Sequence, residues 1–238
     1  MTEQIVEELA QFLAPGHVLL IGEIPGTNEF PDLLRRVVKR VAAREHGIIV
    51  GLEIPLSEDV TTPTFGAFFE RPDELLDGRS STAMAQLLTA LAAIPAARVV
   101  AMDGPWVGPG APVPLEHIGL LDQPRDAVMA GRLLAEIDLN PRWPVIVLAG
   151  SEHTRIDRRA QTLGGLIAPW FPRLISLQTL TSGGEAWTLT VDGPAVLPLP
   201  VAEGLPVGVE WSTQLGADGF HGYLNVGELT AALPYGRI

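Results

Sequence analysis

One pattern recurs four times along the chain: a short, unbroken apolar run that stops at a polar residue in a turn. The runs are HVLLI (residues 17–21), GIIVGL (47–52), RVVAM (98–102) and PVIVLA (144–149). Strands buried on both faces of a parallel sheet read as continuous apolar runs. Between and around the runs lie stretches with apolar residues at helical spacing, at 5–13, 31–44, 83–94 and 124–137. A further helix is expected from about 155 to 167, followed by a strand near 173–180. Pro15-Gly16 ends the first helix, Pro31 suits the first turn of the second, Ser80 or Ser81 caps the third and Asp122 the fourth. Strands alternating with helices predict an α/β fold with a mostly parallel central sheet and helices on both faces.

At 238 residues the chain fits a single α/β domain spanning 1–238. Two loop or lid insertions are expected near 55–80 and 104–121, each following a strand end. The first carries Phe65, Phe68 and Phe69, which suit a lid over a hydrophobic substrate. Residues 193–208, rich in Pro and Gly, read as irregular.

The formal net charge of −12 repels phosphate backbones, so nucleic acid is not an expected partner. Without cysteine there are no disulfides, thiolate nucleophiles or zinc–cysteine clusters. Lys39 is the only lysine and sits in a helical run, a poor place for Schiff-base chemistry. No apolar run approaches the roughly 20 residues that span a bilayer, so no membrane partner is expected. The first residues lack the basic start of a signal peptide, which makes the cytoplasm the default location. Nothing excludes a homo-oligomer.

In open α/β sheets ligands bind beyond the carboxyl ends of the strands. The four runs end there at Glu23, Glu53, Asp103 and Ser151-Glu152-His153. Carboxylates converging on one rim must be screened by cations, hold a proton or bind something positive. A neighbouring carboxylate raises the pKa of another, which is how a general acid or base is poised near neutral pH. His153 can act as a base, a ligand or a structural hydrogen-bonding group. His117 and His221, in loops, are within reach of the same rim. The nucleophile elbow G-x-S-x-G, the Walker A loop and the dinucleotide glycine pattern are all absent.

The run Leu20-Ile21-Gly22-Glu23-Ile24-Pro25-Gly26-Thr27-Asn28-Glu29-Phe30 resembles the first motif, G-E-x-H-G-T-x-E, of the erythromycin esterase/ChaN-like (Tiki, TraB) superfamily. Gly51-Leu52-Glu53 resembles its second-strand glutamate, and Arg125-Asp126-Ala127-Val128-Met129-Ala130 its R-[DE]-x-x-M-A helix start. Leu148 to Arg155 resembles its G-N-x-H-A-R strand end, and Asp218-Gly219-Phe220 through Leu229-Thr230-Ala231 its closing segment. The resemblance implies a strand-end cleft with Glu23, Glu53, Arg125 and His153 as its catalytic set. Members of the superfamily include macrolactone esterases, metal-dependent proteases and haem-binding lipoproteins. One departure stands out: the motif histidine falls on Pro25, which can neither take a proton nor bind a metal. Glu23, Glu29 or Glu152 then becomes the candidate replacement base.

The expectation is an enzyme acting on a small or medium hydrophobic molecule by carboxylate/histidine acid–base chemistry. It needs no obligatory cofactor or metal, and its reaction is esterase-like hydrolysis or a repurposed cyclisation or elimination. Glu29, Asp103, Glu152, Phe65, Phe69 and His117 are its expected substrate-side residues. The alternatives are a non-catalytic binder of haem or another hydrophobic ligand, and a metal-dependent hydrolase.

Overall fold

The computed structural model describes residues 3–55, 60–61, 63, 68–70, 77–104 and 124–236. Most of the two predicted insertions, Phe65, His117 and the proposed helix cap Asp122 lie outside the described residues.

The apolar runs form the strands β1 (Val18–Glu23), β2 (Ile48–Pro55), β3 (Ala97–Asp103) and β4 (Val145–Gly150). With β5 (Leu174–Leu180), β8 (Gly208–Trp211) and β9 (Gly222–Asn225) they build a seven-stranded sheet in the order β3-β2-β4-β1-β5-β9-β8. Every pairing in it is parallel except that of the edge strand β8 with β9. The fold is therefore α/β with a mostly parallel central sheet, as the run pattern predicts.

Both faces are covered, and successive strand residues serve opposite cores. Leu19, Ile21, Val50, Ile146 and Leu148 pack against α1 (Glu3–Phe12), α2 (Glu29–Ala42) and α3 (Thr82–Ala92). Val18, Leu20, Ile49, Val145 and Val147 pack against α4 (Arg125–Leu139) and α6 (Leu163–Ile167). Period-2 side chains in a two-sided sheet leave no strand position for water, which is why the runs are apolar throughout. Ser81 caps α3 by accepting from the Met84 N–H at 3.2 Å, and Pro124 stands at the N-cap of α4.

Two expectations are corrected. The helix predicted over 155–167 is instead a loop followed by α6, and the single turn α5 (Ser151–Thr154) precedes that loop. Asp157 accepts from the Arg159 and Ala160 N–H groups, and Thr162 caps α6 through the Gly165 N–H. Such side-chain bonds offer the backbone an alternative to helix. The stretch predicted irregular at 193–208 contains β7 (Gly193–Pro198), which pairs antiparallel with β6 (Glu185–Thr190) as a separate hairpin.

The loop after β1 is pinned by glycine. Gly26 has φ +80°, and a Cβ there would lie 1.8 Å from the Trp187 carbonyl oxygen. Gly78 packs against the same turn, its Cβ position only 2.2 Å from the Gly26 nitrogen. Only glycine satisfies both the conformation and the approach. Gly26→Ala is expected to cost more than about 2 kcal/mol in urea unfolding. Gly131→Ala, exposed in α4 with open space at its Cβ, should instead stabilise by about 0.5–1 kcal/mol. Equal stability of the two variants would contradict this packing.

Candidate active site

Strands β1 and β3 end in Glu23 and Asp103, Glu53 lies two residues before the end of β2, and β4 runs directly into α5, which carries His153. The pairing of β2 with β3 shifts register between Leu52 and Pro55, so an irregularity falls at Glu53–Ile54. Bulges of this kind re-aim a side chain beside functional sites.

Two guanidinium groups share two carboxylates. Glu53 Oε1 accepts from Arg79 Nη1 at 3.0 Å and Arg125 Nη2 at 2.5 Å, while Oε2 accepts from the Gly150 N–H at 2.7 Å. Asp103 accepts from Arg125 Nε at 2.8 Å and Nη2 at 2.7 Å, from Arg79 Nη1 at 2.9 Å and from the Gly104 N–H. Arg79 sits on a 3₁₀ turn (Gly78–Ser80), donates through its side chain and backbone to Asp77, and lies 5.9 Å above the Phe68 ring.

Arg125 Nη1 donates to His153 Nε2 at 3.1 Å. An arginine can only donate, so Nε2 accepts and the proton of the neutral ring sits on Nδ1. There it faces Asp126, 3.0 and 3.1 Å away, whose Oδ1 also accepts from the Leu163 N–H. Asp126 thus orients His153 and is itself held by α6.

The environments push the ionisable groups apart. Burial raises the Glu23 pKa to about 8, reinforced by the nearby Glu53 and only partly offset by Arg79. Glu23 is 4% exposed, and no hydrogen bond reaches its carboxyl from the described residues. Burial opposes ionisation of Asp103 as well, yet the Arg125 bond and the two arginine charges hold its pKa below the usual carboxylate range. The Asp126 hydrogen bond raises the pKa of His153 against the effect of burial.

A cleft of about 440 Å³ opens over this network. One side is ionic, with Glu53, Asp77, Arg79 and Arg125. The other is apolar, with Ile24, Pro25, Leu197, Pro198 and Leu199, and Ala186 and Thr188 of the β6–β7 hairpin beside them. Pro25 is a wall residue.

The expected catalytic set of Glu23, Glu53, His153 and Arg125 comes together, with Asp103 beneath it. The structure does not bring three other candidates to the cleft. Glu29 accepts from the Thr230 N–H and hydroxyl. Glu152 has an 84% exposed side chain with Arg155 at 3.6 Å. Phe69 is buried edge-on to Phe68 and Tyr235. His221 accepts from the Ser176 N–H on β5. Sequence reasoning missed Arg79, Asp77 and Asp126. For Asp126 a signal existed, since it is the acid of the Arg125-Asp126 helix start.

Among the described residues no group of three or more His, Asp or Glu is placed to hold a metal ion. Guanidinium groups occupy Glu53 Oε1 and both Asp103 oxygens. No described helix is long and apolar enough to cross a membrane.

No family model and no curated protein matches the chain. Two solved structures share the fold. A Bacillus cereus protein aligns with TM-score 0.63 at 11% identity, over 97% of this chain and 92% of its own. The type III effector HopBA1 aligns with TM-score 0.51 at 14% identity, over 96% of this chain and 100% of its own. At these identities the likeness is one of fold alone.

The Glu23 shift has a definite consequence for stability. Its folded pKa lies above the unfolded value, so between pH 4.5 and about 8 the unfolded chain releases a proton that the folded chain keeps. Stability from this group is therefore greatest below pH 4.5 and falls as pH rises to about 8. Glu23→Gln should match the wild type near pH 4 and exceed it at pH 8 by roughly 1–3 kcal/mol in urea titrations. A difference independent of pH would contradict the assignment.

Proposed function

We propose that the chain is a cofactor-independent acid–base enzyme whose reaction is esterase-like hydrolysis of a small or medium molecule with an apolar body. The observation that carries this reading is the Asp126–His153 pair joined through Arg125 to Glu53, the carboxylate whose charge helps the buried Glu23 hold its proton. Two titratable groups pushed in useful directions around one arginine–carboxylate network mark acid and base roles.

His153 Nε2 takes a proton from water as the water attacks the ester carbonyl, and Asp126 steadies the imidazolium that forms. Arg125, whose Nη1 already faces Nε2, donates to the oxyanion that develops there. Glu23 gives its proton to the departing alkoxide. The proton gained by His153 then restores Glu23, so ester and water become acid and alcohol with no net change in the protein. The apolar wall receives the substrate body, and the ionic floor meets the single polar group that reacts. The motif resemblance supports hydrolysis as the chemistry, with His153 and Glu23 doing what the residue at Pro25 cannot.

The test is turnover of a panel of alkyl esters and lactones, followed by mass spectrometry. Activity should rise as His153 loses its proton, above the ordinary 6.5, and fall as Glu23 ionises near 8. His153→Gln and Asp126→Asn should lower kcat/KM by about 100-fold or more, and Glu23→Gln should abolish the alkaline limb. Full activity in a folded His153→Gln variant, or no turnover of any ester or lactone, would refute the proposal.

A further inference from the structure

Three separate pieces frame the cleft: the loop after β1 with Ile24 and Pro25, the β6–β7 hairpin, and the 3₁₀ turn with Arg79. No two of them are consecutive in sequence. All three are tied to one segment, residues 229–235, which carries no regular strand or helix.

The ties are backbone bonds backed by side-chain bonds, among them the Thr82 hydroxyl to Pro234 O at 3.1 Å and Asn28 Nδ2 to Ala231 O at 3.0 Å. The Ala232 N–H donates to Gly26 O at 2.8 Å, the Asn28 N–H donates to Thr230 O at 3.0 Å, and Thr27 bridges Ala231. The Leu229 N–H donates to Gly183 O, and Leu229 O accepts from the Glu185 N–H at 2.9 Å where β6 begins. A Cβ on Gly184 would meet Leu229 O at 2.0 Å, so the two backbones are in close contact. The Thr82 N–H donates to Leu233 O, and the Tyr235 N–H donates to Ser80 O at 3.1 Å, directly after Arg79. The Tyr235 ring packs edge-on to Phe69, which packs on Phe68 under Arg79.

At the centre stands Thr230. Its hydroxyl donates to Glu29 Oε1 at 2.7 Å and accepts from Asn28 Nδ2 at 3.0 Å, while its N–H donates to Glu29 Oε2 at 3.0 Å. This gives Glu29, left without a place in the cleft, a function of its own. A carboxylate taking two bonds from one residue fixes register as well as contact.

We infer that residues 229–235 are a strap that sets the shape of the cleft, with Glu29 and Thr230 as positioning residues acting on all three walls at once. The inference holds whether the cleft catalyses or only binds. Loosening the Glu29–Thr230 pin therefore loosens walls the pin does not touch. Thr230→Val keeps the branched shape and removes the hydroxyl, and Thr230→Ser restores it. In Thr230→Val, amide exchange should quicken about tenfold or more in residues 22–28, 78–82 and 184–187 together, with β4 unchanged. The Glu23 carboxyl, now reached by water, should titrate below its wild-type midpoint by carboxyl-carbon NMR. Thr230→Ser should return both readings to wild type. Should Thr230→Val fail to fold, Glu29→Gln, which keeps one acceptor, is read in the same way. Faster exchange confined to residues beside the pin, with the Glu23 midpoint unmoved, would overturn the inference.

Discussion

Everything at the strand ends depends on the sharing of Glu53 and Asp103 between Arg79 and Arg125. Placed without cations, the acids at or near the ends of β1, β2 and β3 would repel one another in a low-dielectric site. Two planar guanidinium groups resolve this with forked, charge-assisted hydrogen bonds. The same bonds join four pieces of chain: the ends of β2 and β3, the 3₁₀ turn and the start of α4. A buried network of this kind adds little net stability over apolar packing, but removing one partner is costly, so its geometry is held tightly.

That network also divides labour between two glutamates on nearby strands. Glu53 accepts three N–H bonds, whereas the carboxyl of Glu23 receives none from the described residues and sits beside the Glu53 charge. Burial and the neighbouring Glu53 charge thus keep a proton on Glu23 near neutral pH, which makes an acid role available beside the cleft. Arg125 extends the effect to His153, fixing which ring nitrogen carries the lone pair, while Asp126 fixes the other.

Much of the frame was legible from local chemistry. The four apolar runs read as buried parallel strands because the sheet is covered on both faces, and their ends nominated Glu23, Glu53, Asp103 and His153. What was not legible depended on distant partners or on competing local bonds. Glu29 looked like a cleft acid because its partner, Thr230, lies 201 residues away. Arg79 follows no strand, and its place is set by contacts from residues 234–235. The hairpin strand β7 carries Pro194 and Pro198, which hid it among turn-like residues. The helix expected over 155–167 was interrupted by the Asp157 side chain, a competition that apolar spacing does not register.

Burial and the neighbouring Glu53 charge hold the Glu23 proton near neutral pH, next to the strand-end arginine–carboxylate pairs. Carbon-13 NMR of glutamate-labelled protein, with the signal assigned by its loss in Glu23→Gln, measures this directly. One carboxyl should titrate with a midpoint near pH 8. A Glu23 signal that titrates in the ordinary carboxylate range, about pH 4–5, would contradict it.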